Sequence, residues 1–275
     1  MIFSALLLLP LSLFAAWKEG GGWKLVWGDE FNKEGAPDPA KWDYETGFVR
    51  NGEAQYYTRD RRENARVEAG HLLIEARKEA WPNPSFKKGS TSEGEKREKA
   101  DYTSASLMTN GKFSWTYGRV EVRAKLPGGR GTWPAAWSLG VNIGQAGWPG
   151  CGEIDIMEYV GFAPGKVYAT IHTKAFNHMI NTQKGVEIPL VYPDKSYHLY
   201  AAEWDANKIE FFVDGKSRMV FKNDKMGMEH WPFDQPQYLI LNTAIGGGWG
   251  GMKGIDDSIF PAHYEIDYVR IFQKK

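Results

Sequence analysis

Three acids, Glu153, Asp155 and Glu158, crowd into the stretch Gly152-Glu-Ile-Asp-Ile-Met-Glu-Tyr159. On an extended strand, alternation puts Glu153 and Asp155 on one face and Ile154 and Ile156 on the other. Strict alternation would turn Glu158 away from the first two. One extra residue, taken up as a β-bulge at Ile156-Met157, turns it back. Three carboxylates on one face then perturb each other's ionisation. An edge strand with a solvated acidic face is the plain alternative, and the neighbours count against it. Trp148 and Pro149 lead in, Tyr159 leads out, and Trp133 and Trp137 stand a short way upstream. Indole rings stack on the apolar faces of pyranoses, and a pair of acids can cleave a glycosidic bond.

Cleavage with retention needs carboxyl groups roughly 5–5.5 Å apart. Four steps along a flat strand span about 13 Å at Cα, so the strand must bend and the glutamates must lean together. A bulged strand on a concave sheet supplies that bend.

Glu153-Ile-Asp-Ile-Met-Glu158 resembles the active-site signature of glycoside hydrolase family 16, in its laminarinase (endo-β-1,3-glucanase) branch, which carries the extra Met. Trp27-Gly-Asp-Glu-Phe-Asn32, Tyr117-Gly-Arg-Val-Glu-Val-Arg-Ala-Lys-Leu-Pro127, Gly131-Thr-Trp-Pro-Ala-Ala-Trp137, Trp231-Pro-Phe233, Leu239-Ile-Leu-Asn242 and Ile266-Asp-Tyr-Val-Arg-Ile271 are similar to further blocks of that family, in its order. The resemblance spans nearly the whole chain after residue 22. It implies a β-jelly roll of two antiparallel sheets with a concave substrate cleft. It also implies Glu153 as nucleophile and Glu158 as acid/base. Asp155 would lie between them as an ionised neighbour that keeps Glu158 protonated.

For substrate contacts the resemblance implies Asn51, Glu53, Trp133, Trp137, Asn242, Trp249 and His172, the last near Glu158. It implies no cofactor for catalysis, but a structural Ca²⁺ held by the backbone carbonyls of Glu30 and Gly70 and the Asp267 side chain, oxygen ligands of the kind Ca²⁺ prefers. One departure stands out. Many laminarinases carry Arg where Ser106 stands, which puts the linkage preference in question. Within the family the rivals are mixed-linked β-1,3-1,4-glucan or a galactan as substrate. A non-catalytic β-glucan-binding protein is the rival of another class, but such proteins typically lose the acids that this chain keeps.

The bulk properties agree with a neutral polysaccharide partner. The 34 basic and 34 acidic residues give a formal net charge of +0, so no electrostatic pull toward nucleic acid or an anionic membrane exists. Twelve Trp among 14% aromatics exceed what an ordinary core needs. Cys151 is the only cysteine, so no intrachain disulfide forms, and a small buried side chain under the catalytic strand is expected there.

Residues 1–16 form an uncharged apolar run ending in Phe14-Ala15-Ala16, too short for a comfortable membrane span. The run reads as a secretory signal peptide cut near Ala16, although it has no Lys or Arg at its start. The expectation is therefore a secreted, monomeric domain over residues 17–275, periplasmic or extracellular, with no membrane contact after cleavage. No Cys follows the run, which argues against a lipoprotein.

The elements that must position the acids read as strands. Val67–Ala76 is strand, turn, strand; Arg119–Lys125 alternates charge with Val, Val and Ala; Lys208–Lys216 enters an Asp-Gly hairpin; Tyr264–Phe272 is another strand. Tyr168, Thr170 and His172 share a face opposite Val167, Ala169 and Ile171. No helical period or repeat is sustained. Residues 80–100 are expected to be a solvated loop. Gly246–Gly251 lacks the Lys-Ser/Thr of a P-loop and is expected to be a flexible loop carrying Trp249 over the groove.

Overall fold

The computed structural model describes residues 22–275, so residues 1–16, expected to be a signal peptide, lie outside the described residues. Its strands, in chain order, begin with β1 (Trp23–Asp29), β2 (Asp43–Glu45), β3 (Gln55–Tyr57), β4 (Ala65–Glu68), β5 (His71–Pro82) and β6 (Lys99–Ser104). There follow β7 (Ser106–Met108), β8 (Gly118–Lys125), β9 (Thr132–Gly140), β10 (Glu153–Glu158), β11 (Lys166–His172) and β12 (Lys184–Pro189). The last are β13 (His198–Trp204), β14 (Lys208–Val213), β15 (Lys216–Lys222), β16 (Gln237–Ile245) and β17 (Ala262–Lys274). One sheet runs β12-β11-β10-β9-β16-β7-β2. The other runs β15-β14-β13-β8-β17-β5-β6-β3, with β1 also on β17 and β4 also on β5. This is the jelly-roll sandwich the resemblance implied, with one exception to its antiparallel pairing: β3 pairs with β6 in parallel.

The core between the sheets follows from period-two alternation. From β8 it takes Val120, Val122 and Ala124, from β11 Val167, Ala169 and Ile171, and from β10 Ile154, Ile156 and Met157. Each Val, Ile or Met among them contributes about 1.5–3 kcal/mol on full burial, so register on these strands is strongly specified. Turn chemistry agrees. Ala69 and Gly70 both take positive φ between β4 and β5, and Asp214 and Gly215 do so between β14 and β15. The polar stretch after β5 is shorter than expected, because Ala80–Pro82 and Lys99–Ala100 are strand. Between them Asn83 Nδ2 donates to the carbonyls of Gly94 and Arg97, which ties the loop to itself. No helix among the described residues is long and apolar enough to cross a membrane.

Candidate active site

The cleft lies on the β10 sheet and begins with the bulge. Against β9, Asp155 faces Trp137 while Met157 faces Ala136, so Ile156 is the extra residue. Against β11, Asp155 pairs with Thr170 and Glu158 with Tyr168. Ile156 and Met157 are therefore consecutive yet both in the core, Met157 at 0% exposure. Glu158 is turned back beside Glu153 and Asp155, and all three line one cleft of about 1530 Å³. β9 and β11 supply its walls by the same alternation: Trp133, Ala135, Trp137 and Leu139 from one, Tyr168, Thr170 and His172 from the other.

Each acid has a different set of neighbours. Trp148 Nε1 donates to Glu153 Oε2 at 2.9 Å, and Trp133 Nε1 donates to Glu158 Oε1 at 3.1 Å. Asp155 is only 3% exposed, and its Oδ2 accepts no hydrogen bond from the described residues. Burial raises the pKa of all three above the ordinary carboxylate range. The charge of Glu158 adds to the rise at Glu153, and both glutamates add to it at Asp155. Burial therefore favours the protonated form across the cluster, Asp155 included. This corrects the expectation of an ionised Asp155: the most buried of the three carboxyls is the hardest to charge.

His172 also departs from expectation. It pairs across the ladder with Glu153, not with Glu158. Its Nε2 lies 3.4 Å from Asp155 Oδ2 and 3.7 Å from Glu153 Oε1. Antiparallel register decides this, since the partner of Glu158 is Tyr168. Burial, helped by His178, pushes the imidazole down to about 4, so it is neutral at pH 7.

Four of the remaining expected contacts, Asn51, Glu53, Trp137 and Asn242, fall on one network, joined where the Tyr57 hydroxyl donates to Glu53 Oε2 at 3.4 Å. Trp137 Nε1 donates to Asn242 Oδ1 at 2.8 Å, and Asn242 Nδ2 donates to the Tyr57 hydroxyl at 2.9 Å. Gln55 Nε2 and Asn51 Nδ2 donate to the two oxygens of Glu53 at 2.8 and 3.2 Å. Trp137 is 7% exposed, so it is built into the floor; Trp133 and Trp249 are half-buried and stand edge-to-face at 5.6 Å. The glycine run beneath Trp249 is an ordered turn of helix over Gly247–Gly250, not the flexible loop expected. The reason is packing. A Cβ on Gly247 would meet Glu53 Cγ at 3.0 Å, one on Gly250 would meet Trp133 Cβ at 2.8 Å, and Gly247 itself has φ +71°.

Sequence reasoning missed Arg50. Its guanidinium pairs with Glu45 and lies 4.9 Å over the Trp137 ring. Ser106 Oγ holds the other Glu45 oxygen at 2.7 Å. The guanidinium on this side of the cleft thus comes from the segment before β3, where the resemblance had led one to look on β7. Trp148 and His178 were also left off the expected contacts. Trp148 carried a signal in its closeness to the acidic motif, whereas His178 carried none. Cys151 is fully buried, and burial pushes its thiol up to about 11, so it is inert packing.

Glu30, Gly70 and Asp267 lie far from this chemistry, on the other sheet and its β4–β5 turn. Arg270 grips the Glu30 carboxylate at 2.7 and 2.8 Å, and Arg123 pairs with Asp267.

A β-glucanase of Rhodothermus marinus is 49% identical over 260 residues, covering 91% of this chain and 85% of its own length. The X-ray structure of the laminarinase from the same organism matches with a TM-score of 0.82 at 49% identity, over 92% of this chain and 98% of that one. SCLam is a non-specific endo-β-1,3(4)-glucanase solved with a 1,3-β-D-cellobiosyl-glucose at its active site. It gives a TM-score of 0.84 at 46% identity, over 93% of this chain and 96% of that one. The model for glycosyl hydrolases family 16 matches residues 52–270. That span holds the bulged strand and every strand of the cleft sheet except β2, and the chain belongs to glycosyl hydrolase family 16, an enzyme family that cleaves glycosidic bonds.

Proposed function

We propose that the protein is a retaining endo-β-1,3-glucanase. The observation that carries this is the bulge at Ile156, which brings Glu158 to the face of Glu153 and Asp155 in a long cleft lined with indoles. Glu153 is the nucleophile, attacking the anomeric carbon to form a covalent glycosyl-enzyme, and Glu158 as the neutral acid protonates the leaving oxygen. Glu158 then takes a proton from water, which releases the sugar with its original β-configuration. The Trp148 N–H and the charge of Arg50 favour ionised Glu153, but burial and the charge of Glu158 outweigh them and push it up to about 8, against about 7 for Glu158. The division of roles therefore rests on the family motif and the bulge and not on the resting ionisation. Asp155, holding its proton, spares the site a third negative charge.

The cleft also bears on substrate class. Glu45, Glu53, Glu153, Asp155, Glu158 and Glu187 line it, against one arginine, Arg50, and no lysine among the described residues. With its single arginine already paired to Glu45 and no lysine, the cleft has no free cation among the described residues for a sulfate group, which disfavours sulfated galactans and leaves neutral glucans. The relatives named as laminarinase and as non-specific β-1,3(4)-glucanase support β-1,3-glucan, and the second keeps mixed-linked glucan as an additional substrate. A panel of laminarin, lichenan, agarose and carrageenan, with proton NMR of the first product, tests the reading. Laminarin should be cleaved fastest and release a β-anomer. An initial α-anomer, or preference for carrageenan, would refute it.

Residues 1–16 would direct export, which places the enzyme with polymeric glucan. Calcium at Glu30, Gly70 and Asp267 would be structural only. The Asp267 carboxylate already faces Arg123, so the ion would add little to a charge that is balanced without it.

A further inference from the structure

His172, Asp155 and Glu153 form a second kind of constellation inside the cleft. One donor atom from each lies within 4.8 Å of the other two. The His172 Nε2 separations, 3.4 Å to Asp155 Oδ2 and 3.7 Å to Glu153 Oε1, are the informative ones. A tetrahedral zinc ion with bonds of about 2.0–2.1 Å sets its ligand atoms about 3.3–3.4 Å apart. Two edges of one face of such a tetrahedron are thus already near their lengths, and the carboxylate–carboxylate edge lies within 4.8 Å.

The donors are also aimed. Trp148 Nε1 occupies Glu153 Oε2, which leaves Oε1 on the His172 side. Asp155 Oδ2, on a side chain more than nine-tenths buried, has no hydrogen bond among the described residues and points toward His172 Nε2. One imidazole nitrogen and two carboxylate oxygens suit Zn²⁺ and its Irving–Williams neighbours better than Ca²⁺ or Mg²⁺, which ask for more oxygens. Binding would release the protons held by Asp155 and Glu153, and the dication would balance the two carboxylates so formed.

We propose that Glu153, Asp155 and His172 form a binding site for a divalent transition-metal ion of the zinc type, and that the bound ion shuts off hydrolysis reversibly. The binding half stands on the geometry alone. The inhibition half rests on the proposed role of Glu153, since an ion on Oε1 withholds the attacking oxygen.

The test uses the full chain, stripped with chelator and titrated with Co²⁺ in a non-coordinating buffer. One equivalent should bind with the visible absorption of a tetrahedral site, and saturating laminari-oligosaccharide should abolish that spectrum. Zn²⁺ should raise KM for laminarin with kcat unchanged, reversed by EDTA. His172→Gln should weaken Co²⁺ and Zn²⁺ binding at least tenfold. Glu158→Gln should bind Co²⁺ as the parent does while losing hydrolysis, which separates failure of the metal site from failure of the catalytic assignment. No saturable binding, a cobalt spectrum that survives oligosaccharide, or unchanged affinity in a folded His172→Gln would each overturn the proposal. If His172→Gln does not fold, the oligosaccharide competition decides alone.

Discussion

β10 and β8 are built from the same pattern and used for opposite ends. On β8, Val120, Val122 and Ala124 enter the core while Arg119, Glu121, Arg123 and Lys125 face away from it. Every acid met there has a cation. Arg119 bonds Glu121 and Glu203 at 2.7 Å each, Arg123 pairs with Asp267, and Lys125 pairs with Glu265 at 2.7 Å. On β10 the apolar face is equally buried, but three acids share one neutral histidine and two indole N–H groups. Glu75 on β5 makes the contrast sharper. It is as buried as Asp155, and burial alone would raise it, yet His263 and Arg66 together pull its carboxyl down to about 2. Burial alone does not decide what an acid does; the cations around it decide as well. Paired acids hold the far sheet together, and unpaired ones are kept protonated and ready for proton transfer.

The largest effect expected from this contrast is on turnover. Glu153→Gln and Glu158→Gln should each cut laminarin hydrolysis by at least about 10³-fold, with circular dichroism and glucan binding unchanged. Near-normal reducing-sugar release by either purified variant would remove the distinction between the two sheets.

The bulge is the next place to break it. Inserting Ala between Met157 and Glu158 adds a second extra residue that the ladder to β9 cannot absorb, so Glu158 swings out or the strand slips register. Hydrolysis should fall below detection while glucan binding remains. Deleting Met157 restores strict alternation, so hydrolysis should be weakened but measurable, at a stability cost because Met157 is wholly buried. Equal activity in the two variants would contradict the register seen here.

On the far sheet the same kind of change should act on stability alone. Arg119→Met strands Glu121, which is fully buried, and should cost about 3–5 kcal/mol. Urea denaturation measures this, and kcat at a temperature where the variant is folded should match the parent.

Smaller still, and opposite in sign, Glu153→Gln should raise Tm at pH 7 by about 2–4 °C per kcal/mol of relieved burial cost. The native carboxyl binds its proton more tightly than the unfolded one, so the parent loses stability as pH rises above about 4.5. The gain should therefore vanish below pH ~4, where both states are protonated. A variant equally stabilised at pH 3 and pH 7 would count against a raised pKa at Glu153. Smallest of all, EDTA should shift the parent Tm by less than about 2 °C at the Asp267 end, whose charge Arg123 already balances.

The sequence alone was enough for the family, the sandwich and the bulge. Alternation is a local property with a period of two, so Glu153-Ile-Asp-Ile-Met-Glu158 announces its own irregularity, and turn residues such as Asp214-Gly215 mark where strands reverse. Partners across strands are not local. That His172 faces Glu153 rather than Glu158 depends on where β11 enters the ladder. That Arg50 reaches Glu45 and Trp137, and that glycines 247 and 250 make room for Glu53 and Trp133, depends on segments far apart in the chain meeting over one sheet. The protonation of Asp155 belongs to the same class. A carboxyl's charge is set by how much water and how many cations surround it, and tertiary packing alone decides both.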